Sequence, residues 1–257
     1  MINYISEQEL LTNMGSCIIV DARSEAEYLE GHIQDSVNLP VDANLMDSHG
    51  NLINMFEWAA IMSRMGITNA ATVVVYDNGS GKFSARFWYT AKYYGHQNIA
   101  ILEGGYPEIR SLPITTDVMY TPHAYYEPVA TPGYMCFLLE LIQNFELLKF
   151  VDTRSDEEFN GIVLAGNPRG GRIPGAVHLN YERLLDGYYL KPANEIREIA
   201  EASGLKNDEE TLILYCQLGA RASLAAMALR EAGYKNVWVY DGSMFEWTRH
   251  PALLLEV

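Results

Sequence analysis

The feature that most constrains the fold of this chain is an internal repeat. An apolar run followed by the motif D-x-R-S and an aromatic residue occurs at residues 17–28 and again at residues 149–159. Three further blocks recur in the same order: residues 31–39 with 171–179, 72–77 with 211–216, and 98–105 with 236–243. Matching blocks in one order across both halves predict two homologous domains.

The two copies of the repeat differ in length. The offset is 131 residues between Asp21 and Asp152 but 140 residues in the next block, so the second copy carries nine additional residues, which include 163–170. The arginines of the two D-x-R motifs, Arg23 and Arg154, are expected to brace their own domains through the neighbouring aspartates.

Proline density marks the boundary between the copies. Four of the ten prolines lie within twenty residues, at positions 113, 122, 128 and 132. Such a stretch cannot form a regular helix and predicts an extended linker. The predicted organisation is an N-terminal domain at 1–112, a linker at 113–130 and a C-terminal domain at 131–257. Thr131 followed by Pro132 predicts the start of a helix that continues through Asn144.

Strands and helices are predicted to alternate within each copy. Short apolar runs rich in Val and Ile indicate buried strands, and residues 85–94 and 222–232 have helical length and composition. Gly95 and Gly233 stand where helix C-terminal caps belong. The prediction is an α/β fold in which each domain is a parallel sheet flanked by helices. Sites in such sheets lie at the carboxyl ends of strands, where Cys216 stands.

Charge and cysteine content narrow the classes of partner. The chain has 33 acidic and 18 basic side chains, a formal net charge of −15, so nucleic acid and anionic membrane surfaces are unfavourable partners. Its three cysteines form no C-x-x-C pair, and its six histidines show no metal-ligand spacing, so no metal is expected. The sequence has no complete P-loop motif and no dinucleotide fingerprint, so no cofactor is expected either. A reducing cytoplasmic location fits these cysteines, and the first residues do not resemble a secretory signal. The oligomeric state is left open.

The candidate catalytic residues follow the apolar run at 211–215 in the second copy. Cys216 ends the strand and Arg221 precedes a helix. The turn between them consists of four residues: Gln217, Leu218, Gly219 and Ala220. A turn this tight can direct backbone N–H groups inward, and the helix N-terminus and Arg221 add positive charge. These surroundings favour a thiolate, so Cys216 is the predicted nucleophile in an anion-binding turn.

Four motifs of the second copy resemble those of tandem-domain rhodaneses, the thiosulfate and 3-mercaptopyruvate sulfurtransferases. They are D-T-R-S at 152–155, G-R-I-P-G-A-V at 171–177, C-Q-L-G-A-R at 216–221 and Y-D-G-S-M-F-E-W at 240–247. The resemblance covers nearly the whole chain. It implies that Cys216 takes sulfur from a small anionic donor as a persulfide and passes it to cyanide or a thiol, without a cofactor.

The same resemblance assigns functions to further residues. Asp77 stands at the position of Cys216 in the first copy, which implies a catalytically silent N-terminal domain. Arg169 matches an arginine that lies near the donor anion in the family, with Arg172 as a nearby alternative. The other arginine position of the family is Glu158 in this chain. The turn residues and Arg221 complete the predicted substrate-binding set.

Several alternatives stay open at this stage. The loop ending Arg221-Ala222-Ser223 favours thiosulfate as the donor, with 3-mercaptopyruvate as the alternative. Cysteine phosphatases place five residues between Cys and Arg, whereas this chain has four, which disfavours phosphate chemistry. A third interpretation is a sulfur carrier or binding module that holds a persulfide without turnover.

Overall fold

The computed structural model describes residues 3–47, 50–206 and 210–257. The chain divides into two compact units. The first unit contains residues 3–47 and 53–132, and the second contains residues 50–52 together with the described residues from 133 onward. Within these described ranges, no helix is long and apolar enough to cross a membrane.

The first unit is built on a parallel sheet. Its strands are β1 (Asn3–Ile5), β2 (Ile18–Asp21), β3 (His32–Ile33), β4 (Ser36–Asn38), β5 (Val73–Tyr76), β6 (Ile99–Leu102) and β7 (Ile114–Thr115). Its helices are α1 (Glu7–Asn13), α2 (Glu25–Glu30), α3 (Val41–Asn44), α4 (Met55–Arg64) and α5 (Lys82–Tyr93). Five strands pair in the order β1-β6-β5-β2-β4, all parallel, and β3 pairs antiparallel with β7. Strand β5 is buried along its whole length, as its apolar sequence predicts.

The second unit repeats this plan. Its strands are β8 (Met135–Cys136), β9 (Leu148–Asp152), β10 (Val177–His178), β11 (Leu185–Asp186), β12 (Tyr189–Leu190), β13 (Thr211–Tyr215) and β14 (Val237–Tyr240). Its helices are α6 (Leu138–Asn144), α7 (Asp156–Phe159), α8 (Ala193–Ala202), α9 (Ala220–Glu231) and α10 (Ser243–Trp247). The parallel sheet has the order β10-β9-β13-β14-β8, and β11 with β12 forms an antiparallel hairpin. The predicted α/β fold with two parallel sheets flanked by helices is confirmed.

The helix predicted from Thr131 to Asn144 is wrong in its first half. Met135 and Cys136 instead form an edge strand that pairs in parallel with β14, and the helix begins at Leu138. Gly133 adopts a φ of +91°, which lies outside the right-handed helical region. Hydrogen bonds to a strand about a hundred residues away therefore outweigh the local signals for a helix start.

The segment predicted as a linker packs along the first unit. Ile114 and Thr115 pair with β3, and no helix or strand is assigned between Asp117 and Thr131 in the part of the chain the structure describes. Asn69 and Glu127 exchange two hydrogen bonds of 2.8 and 2.9 Å, which fix this extended segment to the loop before β5. The segment groups with the first unit as far as residue 132.

The D-x-R repeats brace each unit, as predicted. Arg23 Nη2 lies 2.6 Å from Asp21 Oδ2 and also donates to the Gly31 carbonyl at 2.7 Å. Arg154 makes the same bond of 2.6 Å to Asp152 and donates to the Gly171 carbonyl at 2.8 Å. All four charged side chains are buried, so each ion pair needs this complete set of partners.

The helix that follows each central strand is also confirmed. Helices α5 and α9 each have twelve residues and end before Gly95 and Gly233, whose φ values are +85° and +96°. Glycine adopts this left-handed conformation without a steric penalty and ends the helix. The residue that directly follows the central strand is Asp77 in the first unit and Cys216 in the second, and a short turn connects it to the helix.

Candidate active site

Cys216 lies at the carboxyl end of β13 and is 2% exposed. Its Sγ accepts a hydrogen bond of 3.1 Å from the Gly219 N–H. Its own N–H donates to Ser243 Oγ at 3.2 Å, and the Ser243 hydroxyl donates to the Tyr240 carbonyl at 2.8 Å. The thiol is therefore fixed by its own turn and by the start of α10.

The turn after Cys216 depends on Gly219. This residue has a φ of +82° and directly precedes α9, and its N–H donates to Cys216 Sγ, so the helix begins next to the thiol. N–H groups in the first turn of a helix have no acceptor inside the helix, and they carry partial positive charge. The site therefore presents backbone donors to an anion held near Cys216.

The first unit shows what such a turn can bind. The Asp77 carboxylate is 1% exposed and accepts hydrogen bonds of 2.9 to 3.1 Å from four backbone N–H groups. The donors are Gly79, Gly81, Phe83 and Ser84. Burial raises the pKa of Asp77 above its ordinary value, although these four bonds oppose the increase. The anion-binding capacity of the first turn is thus filled by a side chain of the protein itself.

Arg221 is held by Glu158. Its Nη1 and Nη2 donate to the two carboxylate oxygens at 2.6 and 2.9 Å, which is a bidentate ion pair. Burial alone would lower the pKa of Arg221, but the hydrogen bonds to Glu158 and the charge of Glu158 raise it. Burial would raise the pKa of Glu158, and its contacts with Arg221 lower it instead. Both groups are therefore charged at neutral pH.

Gln217 is fixed by the nine-residue insertion of the second copy. Asn167 and Gln217 exchange two side-chain hydrogen bonds of 2.7 and 2.8 Å, and Asn167 is 6% exposed. Thr248 donates a third, longer bond of 3.3 Å to Asn167 Oδ1. The side chain of Gln217 is thereby oriented by the protein before any substrate binds.

Arg169 was predicted to contact the donor, but its guanidinium makes hydrogen bonds to the protein itself. Its Nε, Nη1 and Nη2 atoms donate to four backbone carbonyls at 2.8 to 3.2 Å. The acceptors are Thr248, Leu253, Trp247 and His250. The guanidinium therefore binds carbonyls at the end of α10 and in the segment that follows it, where a helix end leaves backbone acceptors available. Arg172, the nearby alternative, lies 3.6 Å from Glu256 and 4.5 Å from the Phe159 ring.

We expect replacement of Arg169 by alanine to lower stability and leave donor binding intact. Four carbonyls would lose a charged donor, so the free energy of unfolding should fall by about 2–4 kcal/mol. The KM for a sulfur donor should stay within about twofold of the wild-type value, because the guanidinium makes none of the contacts of the Cys216 turn. Urea unfolding and steady-state kinetics measure both quantities. A tenfold higher KM with unchanged stability would contradict this assignment and restore the role predicted from sequence.

Two residues of the site were not assigned from sequence. Ser243, which accepts from the Cys216 N–H, has a φ of +49°, a conformation uncommon for a non-glycine residue. Its motif, Y-D-G-S, was a signal that could have located it. Asn167 had no such signal beyond its place in the insertion. In the described residues, no group of three or more His, Cys, Asp or Glu side chains could hold a metal ion.

The buried thiol at the end of a parallel strand, with a backbone N–H directed at its Sγ, makes Cys216 a candidate nucleophile. The profile of the rhodanese-like domain family matches residues 6–112 and 138–250, which include both central strands and both turns.

Relatives and solved structures agree with this match. A Haloferax volcanii protein named "Putative thiosulfate sulfurtransferase" is 32% identical over 245 residues, covering 89% of this chain and 84% of that protein. The sulfur carrier protein TtuD of Thermus thermophilus is 29% identical and covers 86% of this chain and 83% of TtuD. SseA of Escherichia coli, described as a 3-mercaptopyruvate sulfurtransferase with the rhodanese fold, superposes with a TM-score of 0.85 at 23% identity, over 95% of this chain and 99% of SseA. This chain belongs to the rhodanese family of sulfurtransferases, with one rhodanese-like domain in each half.

Proposed function

We propose that this protein transfers the outer sulfur of thiosulfate to cyanide or a thiol through a persulfide on Cys216. The Cys216 thiolate attacks the outer sulfur, the sulfur–sulfur bond of the donor breaks, and its electron pair leaves with sulfite. Cyanide or a thiolate then attacks the sulfur on Cys216 and becomes thiocyanate or a new persulfide. The electron pair of the broken bond returns to Sγ, so the thiolate is regenerated.

The observation that carries this proposal is the hydrogen bond from the Gly219 N–H to Cys216 Sγ, in a turn whose first-unit counterpart holds a carboxylate. A persulfide is an anion that extends one sulfur atom beyond Sγ. Backbone donors already oriented around an anion stabilise it without reorganisation during the reaction. Gly219, with Gln217, Leu218, Ala220 and Arg221, forms the proposed binding site for the transferred sulfur.

The first unit takes no direct part in the proposed chemistry. Asp77 has no sulfur to exchange, and its carboxylate occupies the donors that a persulfide would need. The first-unit turn is also one residue longer: three residues separate Asp77 from Gly81, whereas two separate Cys216 from Gly219. Gly81 and Gly219 are equivalent because each has a left-handed conformation and directly precedes its helix.

A sulfur carrier is the second candidate function, and the name of the TtuD relative favours it. A carrier would form the same persulfide on Cys216 and release the sulfur to a specific protein partner. The two functions share every feature of the site described above and differ in the acceptor. Turnover with a small acceptor separates them.

We expect a larger kcat/KM with thiosulfate than with 3-mercaptopyruvate when cyanide is the acceptor. The ending Arg221-Ala222-Ser223 of the catalytic loop is the basis for this preference. Steady-state kinetics with both donors, at equal ionic strength, give the ratio directly. A higher kcat/KM with 3-mercaptopyruvate would overturn the choice of donor. A persulfide formed without turnover to cyanide would favour the carrier.

A further inference from the structure

Glu158 performs two tasks at once. It belongs to the capping box of α7, in which the Ser155 N–H donates to Glu158 Oε2 at 3.2 Å and the Glu158 N–H donates to Ser155 Oγ at 3.3 Å. The same carboxylate accepts both hydrogen bonds of 2.6 and 2.9 Å from Arg221. The side chain of Glu158 is 8% exposed and that of Arg221 is 22% exposed, so the pair is poorly screened by water.

The first unit contains the same capping box without the second task. Glu27 Oε2 accepts from the Ser24 N–H at 3.1 Å, and the Glu27 N–H donates to Ser24 Oγ at 3.3 Å. The residue two positions after the helix-starting glycine is Arg221 in the second unit and Phe83 in the first. Helix capping therefore explains the glutamate in both copies. The ion pair with an arginine is a feature of the second copy, where Glu158 binds Arg221.

The ion pair changes the charge that a donor meets. Arg221 is the second residue of α9 and follows Gly219 by two positions, and the Gly219 N–H donates to Cys216 Sγ at 3.1 Å, so the guanidinium belongs to the segment that surrounds the reacting thiol. Arg169 and Arg172 are engaged by carbonyls and by Glu256. Because Glu158 carries one negative charge against the single positive charge of Arg221, the pair is neutral overall. A dianion that binds Arg221 must compete with Glu158 for the same N–H groups.

We infer that Glu158 weakens the binding of dianionic donors by competing with them for Arg221, and so reduces the preference of the site for thiosulfate over donors of lower charge. Thiosulfate is a dianion and 3-mercaptopyruvate is a monoanion at neutral pH, so the two donors report on the charge dependence. This inference rests on the proposed function, since it requires that Cys216 accept sulfur from a small anionic donor. Glu158 acts through Arg221 and is a positioning residue.

The test is Glu158→Gln, which removes the charge and keeps a side chain that can complete a capping box. We expect the KM for thiosulfate to fall about five- to tenfold, with kcat within about twofold, because Arg221 is released to the dianion. The KM for 3-mercaptopyruvate should fall less, so the ratio of the two KM values should change. Loss of structure alone would affect both donors alike.

The chain provides a matched control in Glu27→Gln. It makes the same change in the capping box of the first unit, whereas the catalytic turn belongs to the second unit, and it should leave both KM values unchanged. Two further variants, Arg221→Gln alone and Arg221→Gln combined with Glu158→Gln, complete a double-mutant cycle. In the Arg221→Gln background, Glu158→Gln should no longer lower the KM for thiosulfate.

The outcomes separate this inference from the proposed function. If persulfide forms on Cys216 but Glu158→Gln leaves the KM ratio unchanged, the competition between Glu158 and the donor is wrong and the persulfide mechanism stands. The competition is also wrong, and the persulfide mechanism again stands, if Glu158→Gln raises the KM for thiosulfate while the Glu158→Gln protein has the same unfolding free energy as the Glu27→Gln protein. If neither the wild type nor any variant forms a persulfide with either donor, the proposed function itself fails.

Discussion

Replacing Cys216 with serine is expected to reduce sulfur transfer to the rate without enzyme, a loss of at least about 1,000-fold. A serine hydroxyl is not ionised at neutral pH and cannot hold a transferable sulfur. It is close in size to the thiol and can accept the bond from the Gly219 N–H, so the turn should remain folded. The free energy of unfolding should change by less than about 1 kcal/mol. Transfer kinetics and urea unfolding measure the two effects.

Cys17→Ser is the matched control for this prediction. Cys17 precedes β2 in the first unit, and burial raises the pKa of its thiol, which disfavours the reactive thiolate. The variant should keep wild-type activity. Burial also raises the pKa of Cys136, far above its ordinary value, so this thiol should not substitute for Cys216 either. Full activity in Cys216→Ser, or loss of activity in Cys17→Ser, would contradict the assignment of the nucleophile.

Replacing Asp77 with alanine is expected to destabilise the first unit by about 3–5 kcal/mol. The carboxylate accepts four backbone N–H groups at 2.9 to 3.1 Å, and alanine would leave these donors buried without an acceptor. Each unsatisfied buried donor costs about 1–3 kcal/mol, and partial entry of water reduces the sum. Urea unfolding, followed by a probe in the first unit, gives the difference in free energy.

Asp77→Asn provides the comparison for this second prediction. It retains one side-chain acceptor oxygen and places an amide NH₂ group toward two of the donors, so its stability should lie between those of the wild type and Asp77→Ala. The folded fraction of each variant should still transfer sulfur, because Cys216 and its turn belong to the second unit. An Asp77→Ala protein within about 0.5 kcal/mol of the wild type would show that the carboxylate is not needed to satisfy the turn.

The repeat made much of the fold predictable. In each half, a strand is followed by a polar residue and then by a helix that ends at a glycine. These local signals agree with one another for β5 and α5 and for β13 and α9. The strand at Met135–Cys136 was not predictable in the same way. Its hydrogen bonds go to β14, and nothing in the neighbouring sequence indicates that partner.

The contacts of the site were harder to predict than its nucleophile. Cys216 and its turn are contiguous in the sequence, so their chemistry could be inferred from a short motif. The partners that fix the turn come from distant positions: Asn167 binds Gln217 across 50 residues, and Glu158 binds Arg221 across 63 residues. Arg169 illustrates the same difficulty, since a position that matches the family's donor-binding arginine makes hydrogen bonds here to carbonyls of the C-terminal segment, and its contact with the donor stays a prediction.

The mass of the protein after treatment with thiosulfate tests the central claim most directly. The wild type, freed of excess donor under non-reducing conditions, should gain the mass of one sulfur atom, and peptide mapping should place it on Cys216. Cyanide should remove this mass and produce an equal amount of thiocyanate. Absence of the added sulfur, or its presence on Cys17 or Cys136 and in the Cys216→Ser variant, would contradict the persulfide mechanism.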